Sequence, residues 1–474
     1  MAWILSKERR TIFKRKVGQF WDEFKRKKIG IFGVALLSVF IIAAIFGPML
    51  TPYDPINKTR VAQAFAMPEW VTIFPQFKNL VKTREIGISW DAEEGSQYIK
   101  GWGTMVGVEY QATTMATTVV KVSSTFSHQT IPPNEFFVAF TWASSEVENV
   151  EYSLRLTITT PNGTDYTLWT QPNYRDAKGE VAHIESNNPF VIINLGFSPG
   201  TDNLGRIIFS QKGDYTVRIK ISLQPLAPNA KANFKISDSE IFLAGQVHGV
   251  LGTDNVGADV FSDLLYGARI SLIIGLLAAI VGTSIGVFVG IASGYLGGAV
   301  DEISMRIVDI LICLPLLPLL LALVSIYGKS IFYIVLFIGI FGWQGLARVI
   351  RSQALSIREI AFIDSARASG GSSFYIMIKH IIPNVLPVAF ASLVLAVPSA
   401  ILFESSLSFL GFGDPRVPTW GKMLQYAFSF GGFTRLAWWW ILPPGLSIIA
   451  LCLAFVFIGH AFDEVVNPRL RRRQ

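Results

Sequence analysis

Gly282-Thr283-Ser284-Ile285-Gly286 carries the letters of G-x-S-x-G, the turn that presents a nucleophilic serine in hydrolases. That turn needs a strand before the serine, a helix after it, and a histidine and an acid within reach. Here the five residues stand inside an apolar run without such neighbours, so they read as helix interior. Gly328-Lys329-Ser330 imitates the end of a phosphate-binding loop, but Leu323 occupies the place of that loop's first glycine. Without the glycine the backbone cannot cradle a phosphate, and a short turn is the reading. His128, His183 and His248 show neither triad nor metal spacing. The only cysteines, Cys313 and Cys452, fall in separate apolar runs, which predicts packed thiols rather than a disulfide and leaves a zinc site without ligands. No catalytic residue, no metal and no cofactor of its own are expected for this chain.

Two other residue sets do suggest a role. Gly282, Gly286, Gly290 and Gly294 recur every four residues and make one glycine face along a helix, where a second helix can approach closely. Glu404 is the charged residue deepest in an apolar run, and an acid there is a functional candidate by default. Its competing role is a helix-packing hydrogen bond to a neighbouring chain. Asp309, nearer the end of a run, is easier to solvate.

The elements that must position these residues follow from composition. Of 474 residues, 51% are hydrophobic and 16% charged, so much of the chain belongs where charge is costly. Apolar runs near the roughly 20 residues needed to cross a bilayer lie at 29–50, 270–292, 307–327, 331–350, 385–410 and 442–461. Six transmembrane helices are expected, helix 1 within 29–51 and helices 2–6 forming a core over 270–461. The first run is too long for a signal core and lacks a small-x-small cleavage pattern, so it reads as a retained anchor. Ten basic residues from Lys7 to Lys28 precede it, and Arg469, Arg471, Arg472 and Arg473 close the chain. The positive-inside tendency makes the basic segment 1–28, the loop 351–384 and the basic tail 462–474 cytoplasmic, in a multi-pass protein of the cell membrane. The formal charge of +7 is spent on topology and lipid contact, not on nucleic acid. Trp438-Trp439-Trp440, just before the last run, is expected at the membrane interface.

Residues 56–245 form an extracytoplasmic insertion that reads as β. Leu154, Leu156 and Ile158 alternate with polar residues, Pro161-Asn162-Gly163 supplies a turn, and Tyr166 and Leu168 resume the alternation. Tyr215, Val217, Ile219 and Ile221 repeat the pattern, with further strands expected near 136–142 and 234–244, which suggests a β-sandwich. An outer segment, 246–269, leads into the second helix. Gly200-Thr201-Asp202-Asn203-Leu204-Gly205 echoes Gly252-Thr253-Asp254-Asn255-Val256-Gly257, a single short match that does not make a repeat.

Between the fourth and fifth runs stands Asp364-Ser365-Ala366, then three residues, then Gly370-Gly371, with His380-Ile381-Ile382-Pro383 following. A short helix of small residues ending in glycine can enter a groove on a partner, because missing side chains allow close backbone approach. The segment resembles the coupling loop of ABC importer permeases, whose pattern is E-A-A, three residues, G, nine residues and I-x-L-P. Asp364, Ser365 and Ala366 stand at E-A-A, Gly370 at G, and Ile382-Pro383 at the close. Further stretches resemble the dipeptide/oligopeptide subfamily: Thr51-Pro52-Tyr53-Asp54-Pro55, Leu251 to Val260, Tyr266 to Leu272, Met305 to Ile310, Leu407 to Gly413 and Asn467-Pro468-Arg469-Leu470. Ala258 departs from that pattern, which usually has arginine there.

The resemblance implies a binding-protein-dependent importer. Its parts would be this chain, a second homologous permease subunit, two cytoplasmic ATPase subunits that bind ATP and Mg, and an extracellular solute-binding protein. Asp364, Ser365, Ala366, Gly370, Gly371 and Pro383 would couple to the ATPases, and dipeptides or oligopeptides would be the cargo. Import of oligosaccharides or another small solute is the nearest alternative. A membrane-anchored receptor or enzyme is an alternative of another class.

Overall fold

The computed structural model describes residue 18 and residues 20–56, 58–198, 201 and 203–466. The basic residues from Lys7 to Lys16, the closing Asn467-Pro468-Arg469-Leu470 and Arg471-Arg472-Arg473 lie outside the described residues, as do Gly200 and Asp202. The chain divides into two units: Met1–Lys58 with Val260–Gln474, and Thr59–Asp259.

In the first unit, α1 (Lys28–Leu50) has 23 residues, about 35 Å at 1.5 Å per residue, which spans a bilayer's hydrocarbon. Helix α2 (Val260–Leu296) is longer, with 37 residues or about 55 Å. It ends at Gly297 and Gly298, whose φ of 68° and 56° a glycine adopts at least cost. Helices α3 (Gly298–Cys313) and α4 (Leu316–Tyr327) follow, then α5 (Ile331–Ile340), α6 (Gln344–Arg358), the short α7 (Ala361–Ala368) and α8 (Ser373–Ile376), α9 (Ile382–Phe409), α10 (Trp420–Ser429) and α11 (Trp438–Val466).

The expected run 307–327 is not one straight helix. It is the end of α3 and all of α4, bent by 89°. Pro315 is the cause: it disfavours helical geometry in the residue before it, and Leu314 is extended with ψ 128°. The run 331–350 likewise comprises α5 and part of α6, interrupted at Phe341-Gly342-Trp343. Among the described residues five stretches are long and apolar enough to cross a membrane, six if the bent pair counts as one. Helix α2 begins at Val260, so the segment 246–269 divides: its last ten residues are helix and the rest folds with the second unit.

The second unit holds two antiparallel sheets. One runs in the order Asp91–Glu94, Thr118–His128, Gly213–Pro225, Val150–Thr159, Asp165–Tyr174. The other runs Ile99–Lys100, Val106–Gln111, Lys231–Ala244, Glu135–Glu148, Gly179–Glu185, with Arg84–Gly87 also pairing Lys231–Ala244. The hairpin expected around Pro161-Asn162-Gly163 is present, with Leu156 opposite Trp169 and Ile158 opposite Tyr166. Period-two alternation does the sorting. Tyr215, Val217, Ile219, Ile221 and Leu223 are fully buried, and they share one core with Phe136, Val138, Phe140 and Trp142 of the other sheet.

The stretch around Thr253 and Asp254 is a tight turn that ties down the chain near residue 63. Thr253 Oγ1 accepts from Ala66 N at 2.8 Å and donates to Gln63 O at 2.7 Å. Asp254 Oδ1 accepts from Val256 N and Ala258 N at 3.0 and 2.9 Å, an Asx-type turn, and the Ala258 methyl is buried.

Candidate coupling site

Helix α7 ends as glycine ends a helix. Gly370 has φ 83°; its N–H donates to Arg367 O at 3.0 Å, and Gly371 N–H donates to Ala366 O at 3.0 Å. This pair of bonds is the Schellman cap, which satisfies carbonyls the helix would otherwise leave open. A side chain added at Gly370 would touch nothing within 4 Å, so the demand for glycine there is conformational. At Gly371 it is steric, because a Cβ would lie 2.8 Å from the Ala366 carbonyl. Ser372 then caps α8, its Oγ accepting from Tyr375 N at 3.3 Å.

Ile363 is the buried residue that fixes α7 to the unit. Ile363 is fully buried in a cluster with Ile291 and Tyr295 of α2, Ile350 and Ala354 of α6, and Ile376, Ile381 and Val385. Ala366 packs against the same cluster, and Arg367 lies over the Tyr295 ring at 5.9 Å. Asp364, Ser365, Arg367 and Ala368 are exposed and Ala366 is half-buried. The Asp364–Arg367 pair at 3.2 Å is solvent-exposed and stabilises little. Phe362 and Tyr375 are also exposed, and Phe374 is 65% exposed. The site thus presents aromatic rings beside the small residues, a feature that the E-A-A spacing did not disclose.

After α8 the chain passes through a π-helical turn, Met377–Ile381, into α9. Pro383 lies in the first turn of α9 and has no N–H for the ladder, and the Asn384 amide donates to the His380 carbonyl at 2.7 Å. A single π turn beside a proline is a frequent mark of function. Behind the loop, Arg351 grips Asp301 with two guanidinium nitrogens, one at 2.6 Å, and Arg358 donates to Tyr295 O at 3.2 Å.

The glycine face of α2 lies along α5 and α6. A Cβ at Gly282 would stand 3.2 Å from Gly339 O, at Gly286 3.0 Å from Trp343 O, and at Gly290 and Gly294 2.6 Å from Ala347 O and Arg351 O. Each glycine therefore admits a backbone carbonyl of the partner helix. Beside this seam is a cavity of about 360 Å³, with Thr283, Gln344, Ser392 and Ser399 as polar lining and Phe341 and Phe403 as aromatic lining. Spacing gave no sign of this set, because its members come from α2, α6 and α9.

Glu404 is buried and takes its hydrogen bonds within the chain. Its Oε1 accepts from Ser408 Oγ at 2.7 Å and its Oε2 from Ser405 Oγ at 3.4 Å, with Thr419 as a further hydroxyl partner. The acid's own helix and the turn before α10 supply these hydroxyls. Asp309 pairs with Arg348. Trp439 and Trp440 are buried within α11 at 4% and 1% exposure, while Trp438 is exposed. One expectation fails. Cys313 is an exposed free thiol, because the end of α3 turns outward before the Pro315 bend; Cys452 is half-buried and also free.

Comparison with known proteins follows the same helices. The family described as "Binding-protein-dependent transport system inner membrane component" matches residues 286–472, and "N-terminal TM domain of oligopeptide transport permease C" matches 17–68. The dipeptide transport system permease protein DppC of Bacillus subtilis (strain 168) is 36% identical over 224 residues, 47% of this chain and 69% of the relative. The chain belongs to the dipeptide/oligopeptide ABC permease family. The oligopeptide transport system permease proteins OppC of Haemophilus influenzae (Rd) and Escherichia coli (K12) are 36% and 38% identical over 221 residues, 46% of this chain and 70% and 72% of theirs. A solved structure titled for inward-facing MetNI methionine ABC transporter shares 17% identity over 43% of this chain and 94% of that one, at a TM-score of 0.34, too low to argue from. As a permease of this family the chain is a multi-pass membrane component of an ABC importer and not an enzyme. Such a component works in a complex with other subunits.

Proposed function

We propose that this permease forms part of the translocation path for dipeptides or oligopeptides and is driven through α7 by separate ATPase subunits. The observation that carries this reading is the construction of the loop around α7. Ile363, Ile376 and Ile381 root it in the packed ends of α2, α6 and α9, while Asp364, Ser365, Phe362 and Phe374 are exposed at the surface of this unit. A segment rooted in this way transmits a push to the long helices instead of absorbing it, the rigid-body form of switching. Asp364, Ser365, Ala366, Gly370, Gly371 and Pro383 make and cap the docking helix.

The complex in this reading has a second homologous permease, two ATPases holding ATP and Mg on the cytoplasmic side, and an extracellular solute-binding protein. Both termini and the 351–384 loop are cytoplasmic, as the charge distribution supports. The two-sheet unit, a β-sandwich, is extracytoplasmic and receives the binding protein or guides its cargo.

The test is to purify the intact complex and measure which solutes, presented by the binding protein, stimulate its ATPase. Peptides should raise the rate several-fold while oligosaccharides leave it at its basal level. Stimulation by a sugar and not by peptides would contradict the substrate assignment.

A further inference from the structure

At the end of the membrane unit remote from α7 lies a second cavity, of about 370 Å³. It is bounded by the chain leaving α1, by the first turn of α2 and by α10, and Lys58, Asp263, Arg416, Lys422, Tyr426 and Trp440 are among its lining. Asp263 stands 32 residues before Tyr295 on α2, so about 48 Å of helix separates this cavity from the coupling loop.

The cavity is lined by charged side chains of both signs. Lys58 Nζ binds Asp263 Oδ2 at 3.0 Å, and Arg416 binds Asp414 with two bonds of 3.2 Å. Lys422 forms no ion pair among the described residues, and its ammonium donates to the Pro415 carbonyl. Lys58 and Lys422 both lie over the Tyr426 ring, at 5.7 and 5.4 Å from its centre. Two cations therefore meet at one aromatic ring, and Asp263 is paired with the first of them. Burial first, and the nearby Lys58 second, hold the Lys422 amine below the usual lysine range, while Asp263 and Asp414 act the other way. A partly desolvated ammonium with a spare donor and no ion pair of its own is completed by an anion.

We infer that this cavity receives a carboxylate of the cargo, the C-terminal carboxylate of a short peptide, on Lys422. The inference rests on the peptide reading above and deepens it. Lys422 Nζ supplies the charged hydrogen bonds, Lys58 the second positive charge, and Tyr426, Met423 and Trp440 an apolar wall for the adjoining residue.

The experiment compares uptake of trialanine and trialanine C-terminal amide by the complete complex in proteoliposomes, using the same binding protein throughout so that its own preference cancels. One hydrogen bond between charged groups corresponds to a preference of about tenfold for the free acid. Wild type should show that preference, Lys422→Met should reduce it to about twofold or less, and Lys422→Arg should preserve it. An acid-to-amide ratio in Lys422→Met equal to that of wild type overturns the inference, including the case where both substrates fall together because the cavity holds a lipid phosphate or has only a structural role. Loss of assembly in Lys422→Met leaves Lys58→Met to give the same reading, with a reduced ratio expected. Absence of all peptide uptake by wild type overturns the peptide reading and this inference with it, whereas intact uptake with an unaltered ratio overturns this inference alone.

Discussion

Gly290 shows most clearly how one missing side chain shapes the molecule. Its place in a four-residue glycine repeat was legible in the sequence, since the period is that of a helix face. The partner was not legible: the carbonyl of Ala347 is 57 positions away, and only the fold brings it to 2.6 Å from a hypothetical Cβ, with Ile350 Cβ at 2.8 Å. Gly290→Val should therefore destabilise by about 1–3 kcal/mol, the range for overpacking, read as a lower melting temperature of the purified chain. Gly345→Ala is the control, since a methyl there meets nothing within 4 Å and should leave the transition unchanged or slightly raised. A normal transition for Gly290→Val would contradict the close seam. Glu404 and the tryptophans teach the same lesson. Ser408 at i+4 is a helical neighbour that spacing offers, whereas Thr419 reaches the carboxyl only because the chain turns back. Three adjacent tryptophans have three directions on a helix, so their burial could not be assigned from their letters.

Among elements, those with a regular period were readable and those set by a local break were less so. The strands announced themselves by alternation, and the Pro161-Asn162-Gly163 hairpin by its turn residues, with Gly163 at φ 85°. Strand order was not readable, because Gly213–Pro225 pairs with both Thr118–His128 and Val150–Thr159, contacts that no short-range pattern encodes. The apolar runs marked the spans but hid the Leu314-Pro315 bend and the Phe341-Gly342-Trp343 interruption, since hydropathy averages over both. The two-sheet unit has its own continuous core, as a self-standing domain requires. Expressed alone as residues 59–259, it should give a β-type circular dichroism spectrum and a single cooperative unfolding transition. In the intact chain, the exposed Ser210→Cys should react with an impermeant thiol reagent from outside the cell. A disordered fragment would refute the autonomous fold, and labelling only after permeabilisation would refute its external placement.

At the scale of the whole molecule the membrane unit carries two features on one helix. Helix α2 bears Asp263 at the cavity in its first turn and Ile291 and Tyr295 at the coupling loop near its end. Its glycine face holds α5 and α6 against it at backbone distance between them. A tilt imposed at the loop therefore reaches the far end with little loss, because close-packed helices move as bodies. The mechanical role proposed for α7 predicts that its defects separate ATP hydrolysis from transport. The direct measurement is ATP-driven peptide uptake by the reconstituted complex carrying Asp364→Lys or Gly370→Val. The first reverses the charge on the exposed face, and the second forces a β-branched residue to φ 83°, at a cost of about 1–2 kcal/mol in the cap. Both chains should insert at normal levels with uptake reduced at least about tenfold, the loss expected when roughly 1.4 kcal/mol of docking is removed. Wild-type uptake in both variants at equal expression would contradict the assignment of α7 as the coupling helix.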